Sequence, residues 1–289
     1  MYMGMYMKII VKENDKLLNY LLNNLTDLSH KKIKSFLTNE MINIKGRIIT
    51  KYDYQLQKGD IIEIKNNILN KKDKINIHIL YEDDDIIVVN KPYGLLTIGT
   101  DKHEKNTLYN KVSEYVKRDN PKNKIFIVHR LDRETSGIVL FAKKESVKNA
   151  YQEKWNELVK IRRYIAIVNG YLDKKQGVIH TWLTENKNKV VYSTKNKEIG
   201  KEAITEYKVQ KENNNLSLLE IYIKTGRKNQ IRVHLKELEH PILGDIKYNG
   251  AKSNRLYLHN DKLVLKNPFN NKILSFDLPL PNEFNKLMK

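Results

Sequence analysis

From residue 75 onward the chain is dominated by short runs rich in Val, Ile, Tyr and Thr, the residues that fit a pleated, half-buried surface. They fall at Ile75 to Leu80, Asp85 to Asn90, Gly137 to Lys143, Tyr164 to Val168, Val178 to Leu183, Ala203 to Val209, Leu216 to Ile223 and Leu256 to Leu258. Helix-period stretches interrupt only at about Thr107 to Lys117, Ser146 to Leu158 and Asn229 to Leu238. Strands this numerous with so few helices between them predict an α+β domain on a mixed, largely antiparallel sheet.

The N-terminal segment is patterned differently. Leu17, Leu18, Tyr20, Leu21, Leu22 and Leu25 form a helix-period stripe, and Ser29 is placed to cap a second helix over His30 to Thr38, basic at Lys31, Lys32 and Lys34. Short strands follow at Met41 to Ile44 and Ile61 to Ile64, separated by turns at Lys45-Gly46 and Lys58-Gly59-Asp60. Residues 1–65 therefore read as a small αα-β domain. Residues 66–74, rich in Asn and Lys and without a period, read as a linker, and residues 75–289 as the larger domain.

Lys and Arg outnumber Asp and Glu by 53 to 34, for a formal charge of +19. Such an excess suits a polyanion, and nucleic acid is the expected partner, although Lys and Asn also accumulate on surfaces in AT-rich genomes. Residues 1–80 hold 14 basic against 8 acidic side chains, so both parts of the chain are basic. With no Cys there is no disulfide framework, thiolate zinc site or Cys nucleophile, which points to a reducing compartment and a cytoplasmic setting. No apolar run approaches the roughly 20 residues of a membrane span, and Met1 to Met7 lacks the pattern of a signal peptide. No membrane association is expected. Three further Met residues follow Met1, leaving the true start open.

Neither type of Gly-rich phosphate loop is present, so a nucleotide cofactor is not expected. The eight His residues show no paired ligand spacing, and Glu82-Asp83-Asp84-Asp85 precedes an apolar strand where a solvated turn is the commoner outcome. No metal is expected. No Gly-x-Ser-x-Gly elbow appears either.

Two dense segments remain. In His129-Arg130-Leu131-Asp132-Arg133-Glu134-Thr135-Ser136-Gly137, a carboxylate stands between arginines before a turn and the apolar run Ile138 to Phe141. Asp132 is either a loop ion pair or a reagent kept charged by its neighbours. In Thr225-Gly226-Arg227-Lys228-Asn229-Gln230-Ile231-Arg232-Val233-His234-Leu235, a strand-to-helix turn leads into a stripe of Ile231, Leu235 and Leu238. Lys228 and Arg232 would share a neighbouring face, where their repulsion is eased by an anion, either a phosphate or a buried carboxylate.

These two segments resemble the active-site motif and the Thr-Gly-Arg-x-x-Gln-Ile-Arg-Val-His segment of the RluA family of pseudouridine synthases. The likeness extends in order through Tyr81 to Asp84, Val88 to Leu96, Arg163 to Ala166, Gly200 to Thr205, His240 to Asp245 and Arg255 to His259, covering about Leu80 to Phe284. Residues 1–65 are similar to the αL RNA-binding motif shared by a small-subunit ribosomal protein and many RNA-modifying enzymes. Two positions depart from the pattern: Asn229, where the family usually has His, and Thr97-Ile98-Gly99-Thr100 after Leu96.

The resemblance implies isomerisation of uridine to pseudouridine in structured RNA, without metal or cofactor and by a protein that tends to be monomeric. It assigns Asp132 as the essential carboxylate, acting either on the ribose carbon or on its 2′ proton. Arg232 would pair with Asp132, and Tyr164 would stack on uracil and assist removal of the C5 proton. Arg130 would fill the gap left by the extruded base, with His129 behind it, and Arg133, Arg227 and Lys228 join Lys31, Lys32 and Lys34 as RNA contacts. Large-subunit 23S ribosomal RNA is the expected target, with transfer RNA the alternative. A non-catalytic RNA-binding or ribosome-assembly factor is the competing reading, and a hydrolytic glycosidase would need a second cooperating carboxylate.

Overall fold

The computed structural model describes residues 6–26, 28–38, 40–65, 77–99 and 104–289, without the side chains of Tyr6, Met7, Lys31, Lys32 and Lys65. The expected linker at 66–74 lies outside the described residues. The chain divides into two compact units, Met1–Asn76 and Ile77–Lys289.

In the first unit, strands β1 (Tyr6–Ile10), β3 (Ile42–Ile44), β4 (Arg47–Ile48) and β6 (Ile61–Lys65) form an antiparallel sheet in the order β1-β6-β3-β4, and β2 (Asp15–Lys16) pairs with β5 (Gln55–Leu56). Two helices, α1 (Leu17–Asn24) and α2 (His30–Thr38), pack together. Leu17, Tyr20 and Leu21 on α1 and Ile33, Phe36 and Leu37 on α2 recur at spacings of three and four. These stripes bury against Ile42, Ile44, Ile62 and Ile64 of the sheet. Lys34 faces solvent on α2.

The second unit is built on one 11-stranded sheet. In chain order its strands are β7 (His78–Glu82), β8 (Ile86–Lys91), β9 (Phe126–Ile127), β10 (Ser136–Ala142), β11 (Val159–Asn169) and β12 (Gln176–Glu185). They continue with β13 (Val191–Thr194), β14 (Lys201–Asn213), β15 (Leu216–Ile223), β16 (Leu258–Lys266) and β17 (Ile273–Asp277). The main order is β13-β12-β14-β15-β11-β16-β10-β8-β7, with β17 on β16 and β9 on β10. Every pairing is antiparallel except β10 with β16, which run parallel at Ser136–His259 and Gly137–Asn260. The mixed, largely antiparallel sheet expected from the sequence is the one observed.

The continuous apolar runs of β8 and β10 are explained by burial on both faces. Ile87, Val89, Val139 and Phe141 point into one core, and Ile86, Val88, Ile138 and Leu140 into the other. Helices α3 (Leu108–Val116), α6 (Gln230–Glu237) and α7 (Asn282–Leu287) supply the first core with Leu108, Val112, Ile231, Leu235 and Phe284. Helix α4 (Glu145–Glu153) supplies the second with Val147 and Tyr151. Each fully buried side chain of this size contributes about 1.5–3 kcal/mol by leaving water.

Several expected bounds shift. The helix expected over Ser146 to Leu158 ends at Glu153, and a separate turn, α5 (Trp155–Leu158), follows Lys154. The strand expected at Tyr164 to Val168 is 11 residues long, and that at Leu256 to Leu258 begins at Leu258 instead and runs to Lys266. Polar stretches conceal these extensions, because their backbones are held by neighbouring strands and not by their own pattern. The strand expected at Gly137 to Lys143 runs instead from Ser136 to Ala142, and the turn before it closes where Thr135 N–H donates to the Asp132 carbonyl at 3.2 Å.

Candidate active site

The parallel contact at the end of β10 fixes where the site lies. Gly137 has φ +121°, and a Cβ there would sit 2.1 Å from the Asn260 carbonyl oxygen, so only glycine allows β16 to approach this closely. The segment before Gly137 is the loop of Asp132, and its backbone is held on both flanks. Thr97 Oγ1 donates to the Leu131 carbonyl at 2.7 Å and accepts from the Leu131 N–H at 3.2 Å. On the other flank, the Arg133 carbonyl accepts from Gly94 N–H and from Lys91 Nζ, each at 3.0 Å.

Lys91, the last residue of β8, is fully buried and directs its remaining protons to the carbonyls of Leu95 at 2.7 Å and Pro92 at 3.1 Å. Burial pulls its ammonium down to about 7, against the attraction of the Asp132 carboxylate. The Lys91 amine thus ties the two loops together next to Asp132. Thr97, in the loop that departs from the family pattern, is the other tie.

Asp132 itself lines a cleft of about 1200 Å³. All eight residues expected at the site of this unit reach its walls: His129, Arg130, Asp132, Arg133, Tyr164, Arg227, Lys228 and Arg232. Lys31, Lys32 and Lys34 belong to the other unit, and the side chains of the first two lie outside the described residues.

The roles within the cleft differ from expectation at three points. The first concerns Arg232, which does not pair with Asp132. Its Nε and Nη2 donate to the two carboxylate oxygens of Asp245 at 2.7 and 2.6 Å, with Glu134 3.8 Å away, while its guanidinium lies 5.1 Å from the Tyr248 ring centroid. Asp245 is 1% exposed and Arg232 6%. Burial works against the arginine's charge, but the fork on Asp245 outweighs it and raises the pKa, with the more distant Asp132 adding to the same sense. The sequence could place an arginine near Asp132 but could not show that a carboxylate 13 residues downstream folds back first.

Second, Lys228 is not on the helix with Arg232: α6 begins at Gln230, and Lys228 Nζ bonds Glu185 at 2.5 Å. Of the two anions weighed for this pair, the one that meets Arg232 is a buried carboxylate. His129, expected behind Arg130, is held as a neutral ring. The Leu140 N–H donates to its Nε2 at 3.1 Å, which requires a neutral ring with the proton on Nδ1, and burial lowers its pKa to about 3. Packed 5.3 Å from the Trp155 ring centroid, it pins the loop to β10.

The third point is the hydroxyl of Tyr164. Tyr164 is 8% exposed on β11, and burial, with a smaller contribution from Asp132, pushes its phenol up to about 12. It stays protonated at neutral pH, which suits stacking and hydrogen-bond donation and disfavours accepting a proton.

The remaining motif residues hold the frame. Asn229 takes the left-handed conformation at φ 54°, tolerated by Asn, and donates from Nδ2 to Tyr248 Oη at 3.1 Å. Gln230 Oε1 accepts from Thr225 Oγ1 at 2.8 Å and Arg227 N–H at 3.0 Å, while its Nε2 donates to Ile204 O and Thr205 Oγ1, both at 3.0 Å. His234 bridges Thr205 at 2.8 Å and Thr181 at 2.9 Å, and burial lowers its pKa to about 4. Helix α6 is thereby locked to β12 and β14. Lys91, Gln230, His234 and Asp245 all sat within quoted motifs without a role; Arg162 and Trp155, also on the cleft wall, gave no signal in the sequence. Among the described residues no group of His, Asp and Glu is placed to hold a metal ion.

A family model for RNA pseudouridylate synthase matches residues 85–237. An uncharacterised RNA pseudouridine synthase of Mycoplasma genitalium is 32% identical over 289 aligned residues, covering 95% of this chain and 92% of that protein. The ribosomal large subunit pseudouridine synthase C of Rickettsia bellii is 38% identical, covering 73% of this chain and 70% of its own length. Among solved structures, human RNA pseudouridylate synthase domain containing 4 aligns with a TM-score of 0.62 at 25% identity, covering 76% of this chain and 94% of that one.

Proposed function

This chain belongs to the RluA-type family of RNA pseudouridine synthases, and from that premise we propose that it isomerises uridine in large-subunit ribosomal RNA, with Asp132 as the essential carboxylate. The observation that carries this reading is the convergence of Asp132, Tyr164 and Arg232 in one cleft rimmed by Arg130, Arg133, Arg227 and Lys228. In the reaction the N1–C1′ bond breaks, uracil turns, and a C5–C1′ bond forms; C5 loses one proton and N1 gains one, so nothing is added.

Asp132 acts at the sugar, by attack on C1′ or by removal of the 2′ proton, and either step needs a carboxylate held still. The anchoring of its neighbours by Thr97 and Lys91 supports that demand. Tyr164 supplies the buried aromatic wall for uracil, and its protonated hydroxyl donates a hydrogen bond. Arg232, fixed by its ion pair with Asp245, stands within electrostatic reach of Asp132. Arg130 is exposed beside the cleft, where a planar guanidinium can fill the gap left by extrusion of the base. The names of the Rickettsia bellii relative and of the Haemophilus ducreyi ribosomal large subunit pseudouridine synthase D, 27% identical over 91% of this chain, support ribosomal RNA as the target. The N-terminal unit, with Lys34 exposed on α2, serves as a further RNA contact.

The test is conversion of uridine in purified large-subunit RNA, read by base-resolution mapping of pseudouridine. Asp132→Asn is expected to abolish conversion while leaving RNA affinity nearly intact. Wild-type conversion by that variant would overturn the assignment.

A further inference from the structure

Three buried or half-buried arginines of the second unit are matched by carboxylates. Arg163 bonds Asp261 at 2.6 Å and Glu220 at 2.7 Å, Arg232 holds Asp245 at 2.6 Å, and Arg255 pairs with Glu283. Arg162 is different. Half-buried on β11, two residues before Tyr164, it has no carboxylate within 4.0 Å of its guanidinium among the described residues. Its Nη2 donates a long hydrogen bond of 3.3 Å to the Lys224 carbonyl.

The surroundings hold this cation in place without neutralising it. The guanidinium lies 5.6 Å from the centroid of the Trp155 ring. Gly226 leaves room for it: a Cβ there would stand 2.8 Å from Arg162 Nη1. Arg162 lines the main cleft and also a side recess of about 310 Å³ that it shares with Lys160 and Lys224. Burial, together with the like charge of Arg227, lowers its pKa below the usual guanidinium value. Arg162 and Arg227 both line the cleft, and among the described residues neither guanidinium has a carboxylate within 4.0 Å, so the half-buried charge of Arg162 is favoured by an incoming anion.

We propose that Arg162, with Arg227 beside it and Trp155 beneath it, forms a phosphate site for the RNA strand, taking a backbone phosphate next to the extruded uridine. The site rests on the RNA-modifying reading given above and adds to it a specific contact that positions the strand. A guanidinium braced by an aromatic ring presents its fork in a fixed plane, which matches two phosphate oxygens. The phosphate supplies the counter-charge that Arg163, Arg232 and Arg255 find within the protein.

The full-length chain is titrated with a short stem-loop RNA carrying one unpaired uridine, by fluorescence anisotropy across a range of KCl concentrations. Arg162→Gln is expected to weaken binding about tenfold and to make the slope of log affinity against log salt shallower by about 0.7. Arg162→Lys should recover the slope. Replacing the phosphates around the uridine one at a time by neutral methylphosphonate should reveal one position that costs the wild type about tenfold and costs Arg162→Gln less than about twofold. An unchanged salt slope in Arg162→Gln, or equal losses in both proteins at every position, would overturn the proposal. The methylphosphonate series on the wild type is independent of how the variant folds, and no position-specific loss there is equally fatal. Binding and conversion are read separately. A phosphate-specific effect without any pseudouridine formed would refute the proposed reaction and leave the phosphate site standing.

Discussion

Removal of Asp245 discriminates between the two partners that Arg232 could have. Asp245 accepts two guanidinium bonds, at 2.7 and 2.6 Å, and also the Tyr248 N–H at 3.3 Å, in a position only 1% exposed. Asp245→Ala would leave a buried guanidinium without its fork, which costs about 3–5 kcal/mol. For a unit of this size each kcal/mol lowers the melting temperature by about 2–4 °C, so a fall of about 6–20 °C is expected by calorimetry. Arg232→Met should cost a comparable amount by stranding the carboxylate. Arg232→Met combined with Asp245→Leu should melt above either single variant, because no uncompensated charge remains. The double-mutant cycle on Arg232 and Asp245 should yield a coupling of about 2–3 kcal/mol, and the cycle on Arg232 and Asp132 less than about 0.5 kcal/mol. The reverse order of couplings would show that the arginine serves Asp132 directly and would refute the assignment of Asp245 as its partner.

Two further outcomes follow from the charge distribution. His234 and His259 are buried and lowered to about 4, so between pH 6.5 and 4 the unfolded chain binds protons that the folded chain does not. Their stability contribution is complete above pH 6.5 and declines on acidification by about 1.4 kcal/mol per pH unit for each histidine. Urea melts at pH 7 and pH 5 should show the loss, and a His234→Gln variant with the same pH dependence as wild type would contradict it. Replacing Lys31, Lys32 and Lys34 together by Gln should reduce the salt slope of RNA binding by about 2 while the melting temperature stays within about 2 °C. An unchanged slope would remove the N-terminal helix from the RNA contact surface.

The apolar runs of β8 and β10, each carrying an apolar set on both faces, read as buried strands, and the scarcity of helices between strands favoured a mixed, largely antiparallel sheet. The N-terminal helix over His30 to Thr38 was legible for a similar reason: its stripe of Ile33, Phe36 and Leu37 is a local period that needs no distant partner to be read. Strand extensions such as Val159 to Arg163 were not, because those residues are held in the sheet by β15 and β16 and not by their own alternation.

The same division holds at the site. The family motifs fixed which side chains would gather, and Asp132, Tyr164 and Arg232 do share one cleft. The sequence by itself therefore determined the fold class, the family and the chemical groups on the cleft wall, since patterning and ordered motifs are properties of the chain. Only the tertiary structure decided which charges meet: Arg232 goes to Asp245, Lys91 lies next to the Asp132 loop, His129 is a neutral pin, and Arg162 has no carboxylate beside it. Pairing and protonation depend on distances of a few ångströms between residues far apart in the chain, and on how much water burial removes. Neither quantity exists until the sheet has closed around the site.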